Sequence, residues 1–354
     1  MRSFLRYVQS DISKYSRSGS RFDFRNGSIG NFFLTGGRLV HITLVCLLLT
    51  FKFFGSLESS IYLLSSISSL AENITVLPII NTNHSTHIAA KLPCPPYVIV
   101  GQNQISHPSL ADVLPEKGPH ARTGSIAEDE DGTLPPGTLA SLNGSGRNIV
   151  FEKCGTDALP GKIERVFYVN PYGNEIHPSA NPRVVAALRN ADSLIYSTGS
   201  LFTSYFPPTS KTNDRIVPCL VPKGIAKAMT ESTTLKFKIL LLNNSFDRET
   251  TAFTSATDYI KAIIKACTHP HQDNRPWTHY VTHLVYLRGS KIPVDTADLK
   301  ARGIECVGIW PAQDGMVYDA GILERVLTGI CSGRGGGLQR RATVQNWPIR
   351  QHKD

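Results

Sequence analysis

The feature that most constrains this chain is a strict alternation between residues 163 and 330. Short apolar runs bounded by turns alternate with segments whose apolar residues recur every three or four positions. Residues 163–169 (IERVFYV), 193–197 (SLIYS), 236–242 (KFKILLL), 280–286 and 304–309 predict strands. Residues 182–189, 223–229, 256–267, 298–302 and 321–330 predict helices, the first opening on Pro182, where a missing amide proton costs nothing. The run KFKILLL is almost wholly apolar, as expected for a strand covered on both faces. Strands separated by helices pair in parallel, so the fold class is α/β, with a doubly wound, mainly parallel sheet.

The flanks are weaker. Residues 56–70 carry helical spacing, and residues 76–80 and 97–100 predict strands. Residues 1–20 are polar and basic and predict a disordered start. At about 110–160, Pro, Gly, Ser, Asp and Glu crowd together, with an acidic run at 128–131, which predicts a disordered insertion. Residues 331–354 read as a basic disordered tail. The expected organisation is therefore one domain over 21–330 with an insertion.

The net charge of +9 is not a property of that domain. Residues 1–60 hold 8 basic and 3 acidic side chains, residues 331–354 hold 5 and 1, and the remainder holds 24 of each. A nucleic-acid reader carries a basic face on the fold itself, so no nucleic-acid partner is expected. Seven cysteines at irregular gaps form no zinc spacing and predict free thiols in a reducing compartment. With no secretory leader in the first 26 residues, the five N-x-S/T sequons are expected to be silent, and the localisation expected is cytoplasmic. Residues 39–51 (LVHITLVCLLLTF) cover only about 20 Å as a helix, short of a roughly 30 Å bilayer core. A buried helix is favoured there over a short membrane span, so no membrane partner is expected.

Three loops have the composition of a ligand site. At 198–205 a strand runs through Thr198-Gly199-Ser200 into a predicted helix at 201–205. A helix start offers unpaired amide protons and the positive end of its dipole, and Thr198, Ser200, Thr203 and Ser204 add hydroxyls, a recipe for holding phosphate. Ser200 acting only as an N-cap is the plainer alternative. The string Asn26-Gly27-Ser28-Ile29-Gly30-Asn31 is flexible and rich in donors, although such strings are usually turns. After the strand ending at Leu242, Asn243, Asn244 and Arg248 fall where ligands sit in parallel sheets, and are possible ligand contacts. Histidines at 84 and 87 are spaced for a helix but lie in no confident helix, so no metal site is assigned. His279 and His283 are expected to pack with one hydrogen bond each. No GxSxG, GxxxxGK[ST] or GxGxxG string is present, and no catalytic residue is assigned.

In order along the chain, RFDFRNGSIGNFFLTG (21–36), GSLESSIYLLSSI (55–67), VLPIINTNHSTHIAA (76–90), GQNQISHPS (101–109), FYVNPYGNEIHPSANPRVVAALRNADSLIYSTGSLFTSYFP (167–207), PCLVPKGIAKAM (218–229) and LLLNNSFDRETT (240–251) resemble the 2-phospho-L-lactate transferase (CofD)-like family, which includes the gluconeogenesis factor YvcK. The resemblance is closest to the eukaryotic branch. It implies a Rossmann-like fold and ligand contacts at Asn26, Gly27, Ser28, Gly30, Asn31, Gly199, Ser200, Thr203 and Ser204. Transferase members pass a phospholactyl group from a guanylylated donor to a deazaflavin, with Mg2+ and release of GMP. YvcK members bind a nucleotide sugar and regulate. The resemblance thus implies a guanine or uridine nucleotide ligand and, by analogy, a homodimer.

The departures shape the expectation. Family members open with a GGTG-type loop and an acidic segment, and this sequence begins downstream of both, so the first strand and Mg2+ ligands are expected to be missing. About a dozen residues, 40–52, also interrupt the family pattern, as a core helix, a short span or a retained intron would. A weak or inactive transferase, or a non-catalytic nucleotide-binding regulator, is the expected function.

Overall fold

The computed structural model describes residues 30, 33–34, 57–82, 86–93, 97–106, 158–203, 216–269, 274–312 and 316–333. The apolar run at 39–54, nearly all of the insertion and both chain ends lie outside them.

Two four-stranded sheets share one core. The parallel sheet comprises β5 (Ser193–Tyr196), β6 (Phe237–Leu241), β7 (His283–Leu287) and β8 (Glu305–Ile309), in that spatial order. Sequential order requires crossovers, and these hold α4 (Val217–Leu220), α5 (Ile225–Glu231), α6 (Ala256–Thr268) and α7 (Thr296–Ala301). Alternation along β6 explains its composition. Leu240 and Leu242 face the main core with Tyr259, Ile260 and Ile263 of α6, whereas Ile239 and Leu241 face a smaller core with Val326 and Ile330 of α8 (Ala320–Cys331). Helices thus cover both faces, as the doubly wound reading requires. Asp319 caps α8 by accepting from the Ile322 amide at 2.8 Å.

The second sheet is antiparallel; the sequence predicts two of its strands, at 97–100 and 163–169, but not their partners. It comprises β1 (His87–Leu92), β2 (Tyr97–Val100), β3 (Arg165–Val169) and β4 (Glu175–Ile176), in the order β2-β1-β3-β4. β1 reads HIAAKL, with two alanines, poor strand formers by composition. It is made a strand by pairing with β3, 78 residues away at Ala89↔Phe167 and across the insertion. Ile88, Ala90, Leu92, Val166 and Tyr168 drop into the shared core, and the Tyr168 hydroxyl donates to the Pro218 carbonyl at 2.9 Å.

Three local expectations need correction. Residues 76–80 form no strand, only a bridge from Ile80 to Ala180. Pro78 has no amide to donate, and its carbonyl accepts instead from the Asn181 side chain at 3.2 Å. Residues 280–282 precede the strand, which starts at His283 after a 3-10 turn at Trp277–His279. Residues 201–203 are bends, not the predicted start of a helix. The helices at α1 (Leu57–Ile67) and α3 (Pro182–Asn190) stand as expected, α3 capped by Asn181 with Pro182 at its first position.

Candidate ligand site at the carboxyl edge of the parallel sheet

β5 and β6 are adjacent and parallel, so the segments leaving their carboxyl ends, 197–203 and 242–250, lie side by side. Gly199 turns the first segment at φ 150°, a region that favours glycine. Asn243 clasps it from β6. Its side-chain oxygen accepts from the Gly199 amide at 3.0 Å and its side-chain nitrogen donates to the Gly199 carbonyl at 2.7 Å. Asn244 reaches the other way, donating to the Met316 carbonyl, while its own carbonyl accepts from the Lys291 amide at 2.7 Å. Tyr318 donates toward the Leu242 and Val285 carbonyls at 2.7 and 3.0 Å, tying the segment before α8 to the same edge.

The centre of the arrangement is Glu249, which sequence reasoning did not single out. It lies in a 3-10 turn, Arg248–Thr250, and is 4% exposed. Its carboxylate accepts from the Ser200 hydroxyl at 2.6 Å, the Phe202 amide at 3.2 Å, the Thr203 amide at 3.1 Å and the Thr203 hydroxyl. A buried carboxylate must be satisfied in this way. Asp247 opens the turn, accepting from the Thr250 amide at 2.9 Å and hydroxyl at 2.7 Å, while Tyr259 donates to the same hydroxyl at 3.1 Å.

The electrostatics follow from this crowding. Burial, with the neighbouring Asp247 charge, raises Glu249 from 4.5 to about 7, and the Ser200, Thr203 and Phe202 donors restrain the rise. Burial also raises Asp247 against its Thr250 hydrogen bonds. The two carboxyls, both raised, are coupled, and the loop depends on one of them.

This geometry brings together much of what the sequence proposed, in altered roles. Gly199, Ser200, Thr203, Asn243, Asn244 and Arg248 all fall on this edge. Ser200 and Thr203 are buried, at 6% and 0% exposure, and in this conformation their hydroxyls engage Glu249. Thr198 is half-buried and makes no hydrogen bond with a described residue. Asn26, Gly27, Ser28, Asn31 and Ser204 lie outside the described residues, and of the 26–31 string only Gly30 is described. On the same edge, the Arg288 guanidinium sits 5.3 Å from the ring centroid of Trp310, itself 59% exposed. That pair gave no local signal, because β7 and β8 bring it together.

No group of three His, Cys, Asp or Glu occurs among the described residues, and the Glu249 carboxylate is engaged by protein donors. His87 is exposed on β1, and its proposed companion His84 lies outside the described residues. His283 meets the Thr282 hydroxyl at 2.9 Å, whereas Nδ1 of His279 is buried without a hydrogen-bond partner. None of the four described cysteines is in a disulfide with a described residue, and no helix among the described residues is long and apolar enough to cross a membrane.

In a Rossmann-like parallel sheet, loops at the carboxyl edge are where ligands are held. The family model of 2-phospho-L-lactate transferase CofD matches residues 10–307, and the chain belongs to that family. It is also 32% identical over 362 aligned positions to the uncharacterized protein YNL011C of Saccharomyces cerevisiae, covering 93% of this chain and 74% of the yeast protein. The match to a yeast protein fits a eukaryotic CofD-like branch, and the chain carries a phospholactate-transferase-like domain.

Proposed function

We propose that the edge formed by residues 198–203 and 242–250 binds the phosphates of a nucleotide-linked substrate, and that the domain transfers a phospholactyl group in the manner of its family. The acceptor's hydroxyl oxygen would bond to the phospholactyl phosphorus while the bond from that phosphorus to GMP breaks, and the hydroxyl proton would leave to solvent. Thr198 would face the ligand and Arg248 would supply charge. The protein's part in such a reaction is positioning and electrostatic stabilisation.

One observation carries the reading. Asn243 and Glu249, both from the segment after β6, grip the segment after β5 through six hydrogen bonds, so a loop suited to phosphate is held before any ligand arrives. Preorganisation of this kind lowers the cost of binding. The alternative is a nucleotide or nucleotide-sugar sensor without turnover, favoured by the commitment of Glu249 and Asp247 to internal hydrogen bonds.

The test is thermal unfolding of the full chain against GDP, GTP and UDP-N-acetylglucosamine, with and without Mg2+, repeated on Asn243→Ala. Binding to the folded state raises Tm by mass action. A nucleotide-dependent rise that shrinks in the variant supports the site. A cooperative transition that no nucleotide moves overturns it. GMP release from a guanylylated phospholactate donor, dependent on an added acceptor, then separates transferase from sensor.

A further inference from the structure

A cavity of about 350 Å³ lies between the antiparallel sheet and α6, behind the 198–203 segment, which contributes Phe202 to its wall. The proposed function makes no use of it. Its inner wall is apolar, formed by Phe202, Phe253, Val217 and Val221. Phe202 and Phe253 are themselves 3% and 4% exposed and meet edge to face with centroids 6.1 Å apart, so this wall is rigid. Its outer wall is one face of α6, where Asp258, Lys261, Lys265 and His269 recur at helical spacing.

The charge of the cavity is not balanced internally. Each carboxylate lining it already has a cation. Asp258 holds Lys162 at 2.8 Å, Glu175 holds Arg165 at 2.6 Å, and Glu164 holds Lys91 at 3.3 Å. Lys162 also rests 4.8 Å from the Phe253 ring centroid. Lys261 and Lys265, one turn apart, form no ion pair with a described residue. The result is an apolar interior whose lining carries one more cation than carboxylate, with Lys265 near Glu164 and Lys261 near Asp298, and His177 and His269 beside them.

We propose that this cavity is a second binding site, for a small amphipathic anion whose apolar or aromatic body sits against Phe202 and Phe253 and whose acidic group is held by Lys261 and Lys265. The volume falls within the range of small-molecule pockets, which pair apolar walls with a few placed polar groups. A neutral apolar molecule would leave the ammonium groups unused, and a bare inorganic anion would leave the aromatic wall wet. The chemistry therefore selects a molecule with both parts, carrying a carboxylate, sulfonate or phosphate.

The experiment uses the full chain and two fluorescent probes of similar body, the anionic 8-anilinonaphthalene-1-sulfonate and the neutral N-phenyl-1-naphthylamine. Titrations are run under conditions where unfolding is separately shown to be cooperative. The site predicts saturable, one-to-one binding of the anionic probe that weakens with added salt. The double variant Lys261→Glu/Lys265→Glu, on the exposed face of α6, should weaken the anionic probe at least about tenfold and the neutral probe far less. Ala266→Trp, which fills the cavity from α6, should remove both. No saturable binding to the native protein overturns the proposal. So does equal binding of both probes unaffected by the charge reversal, which would mark an apolar void without anion selectivity. If Ala266→Trp fails to fold, the charge-reversal result decides alone.

Discussion

Replacing Glu249 by Gln tests the central clasp through its pH dependence. Glu249 is raised from 4.5 to about 7 because its charged form is buried beside Asp247. A carboxyl whose folded pKa lies above its unfolded value keeps its proton more tightly in the native state. Between those two values the folded protein binds more protons than the unfolded chain, so stability falls as pH rises through the window. A rise of this size corresponds to roughly 3 kcal/mol in total, most of it falling between about pH 5 and pH 7.5. Glutamine resembles the protonated acid and cannot ionise, so the variant should lose this slope. The assay is urea unfolding of both proteins at about pH 5 and pH 7.5. The expected result is that the stability difference between them moves by about 2 kcal/mol in the variant's favour at the higher pH. Half-buried His283, lowered by burial, and the other titrating groups act in both proteins and cancel in this difference. Asp247 does not cancel wholly, because losing the Glu249 charge relieves it too, so the measured change belongs to the pair. Curves that stay parallel within about 0.5 kcal/mol across this range would refute the reasoning.

Three further perturbations address neighbouring parts of the fold. Asn243→Ala removes both hydrogen bonds to Gly199 and should cost about 1–2 kcal/mol, with earlier proteolytic cleavage near residue 199 as an independent readout. Tyr318→Phe strips a donor from the Leu242 and Val285 carbonyls and should cost about 1 kcal/mol by urea unfolding. At Asp258, burial would raise the carboxyl, but the Lys162 hydrogen bond with the Thr254 amide and hydroxyl outweighs it and holds the group at about 2. The stability this supplies is full above the ordinary carboxylate value and is lost as pH falls toward 2. Because Lys162 is 47% exposed, Asp258→Asn should cost only about 1 kcal/mol near neutrality, and acid unfolding should show the two proteins converging below about pH 3.

The sequence resolved the half of the fold whose information is local. KFKILLL is apolar because both its faces are covered, and Pro182 and Asn181 mark a helix start that needs no distant partner. Of the antiparallel sheet the sequence predicts β2 and β3 but not β1, which is a strand only through its pairing with them. The loop at 198–203 was found by its glycine and hydroxyls, yet it was read as the start of a helix whose hydroxyls face a ligand. Nothing within those residues announces that Glu249, 46 residues beyond Thr203, will take the Ser200 and Thr203 hydroxyls.

By itself, then, the sequence determined the alternation of strands and helices and the family, because periodicity and turn chemistry are written in neighbouring residues. Only the tertiary structure decided which side chains face one another across the carboxyl edge of the parallel sheet, and that two lysines of α6 overlook an apolar cavity beside the antiparallel sheet. Those pairings depend on which strands become neighbours, and burial and unbalanced charge exist only once the core has closed around them.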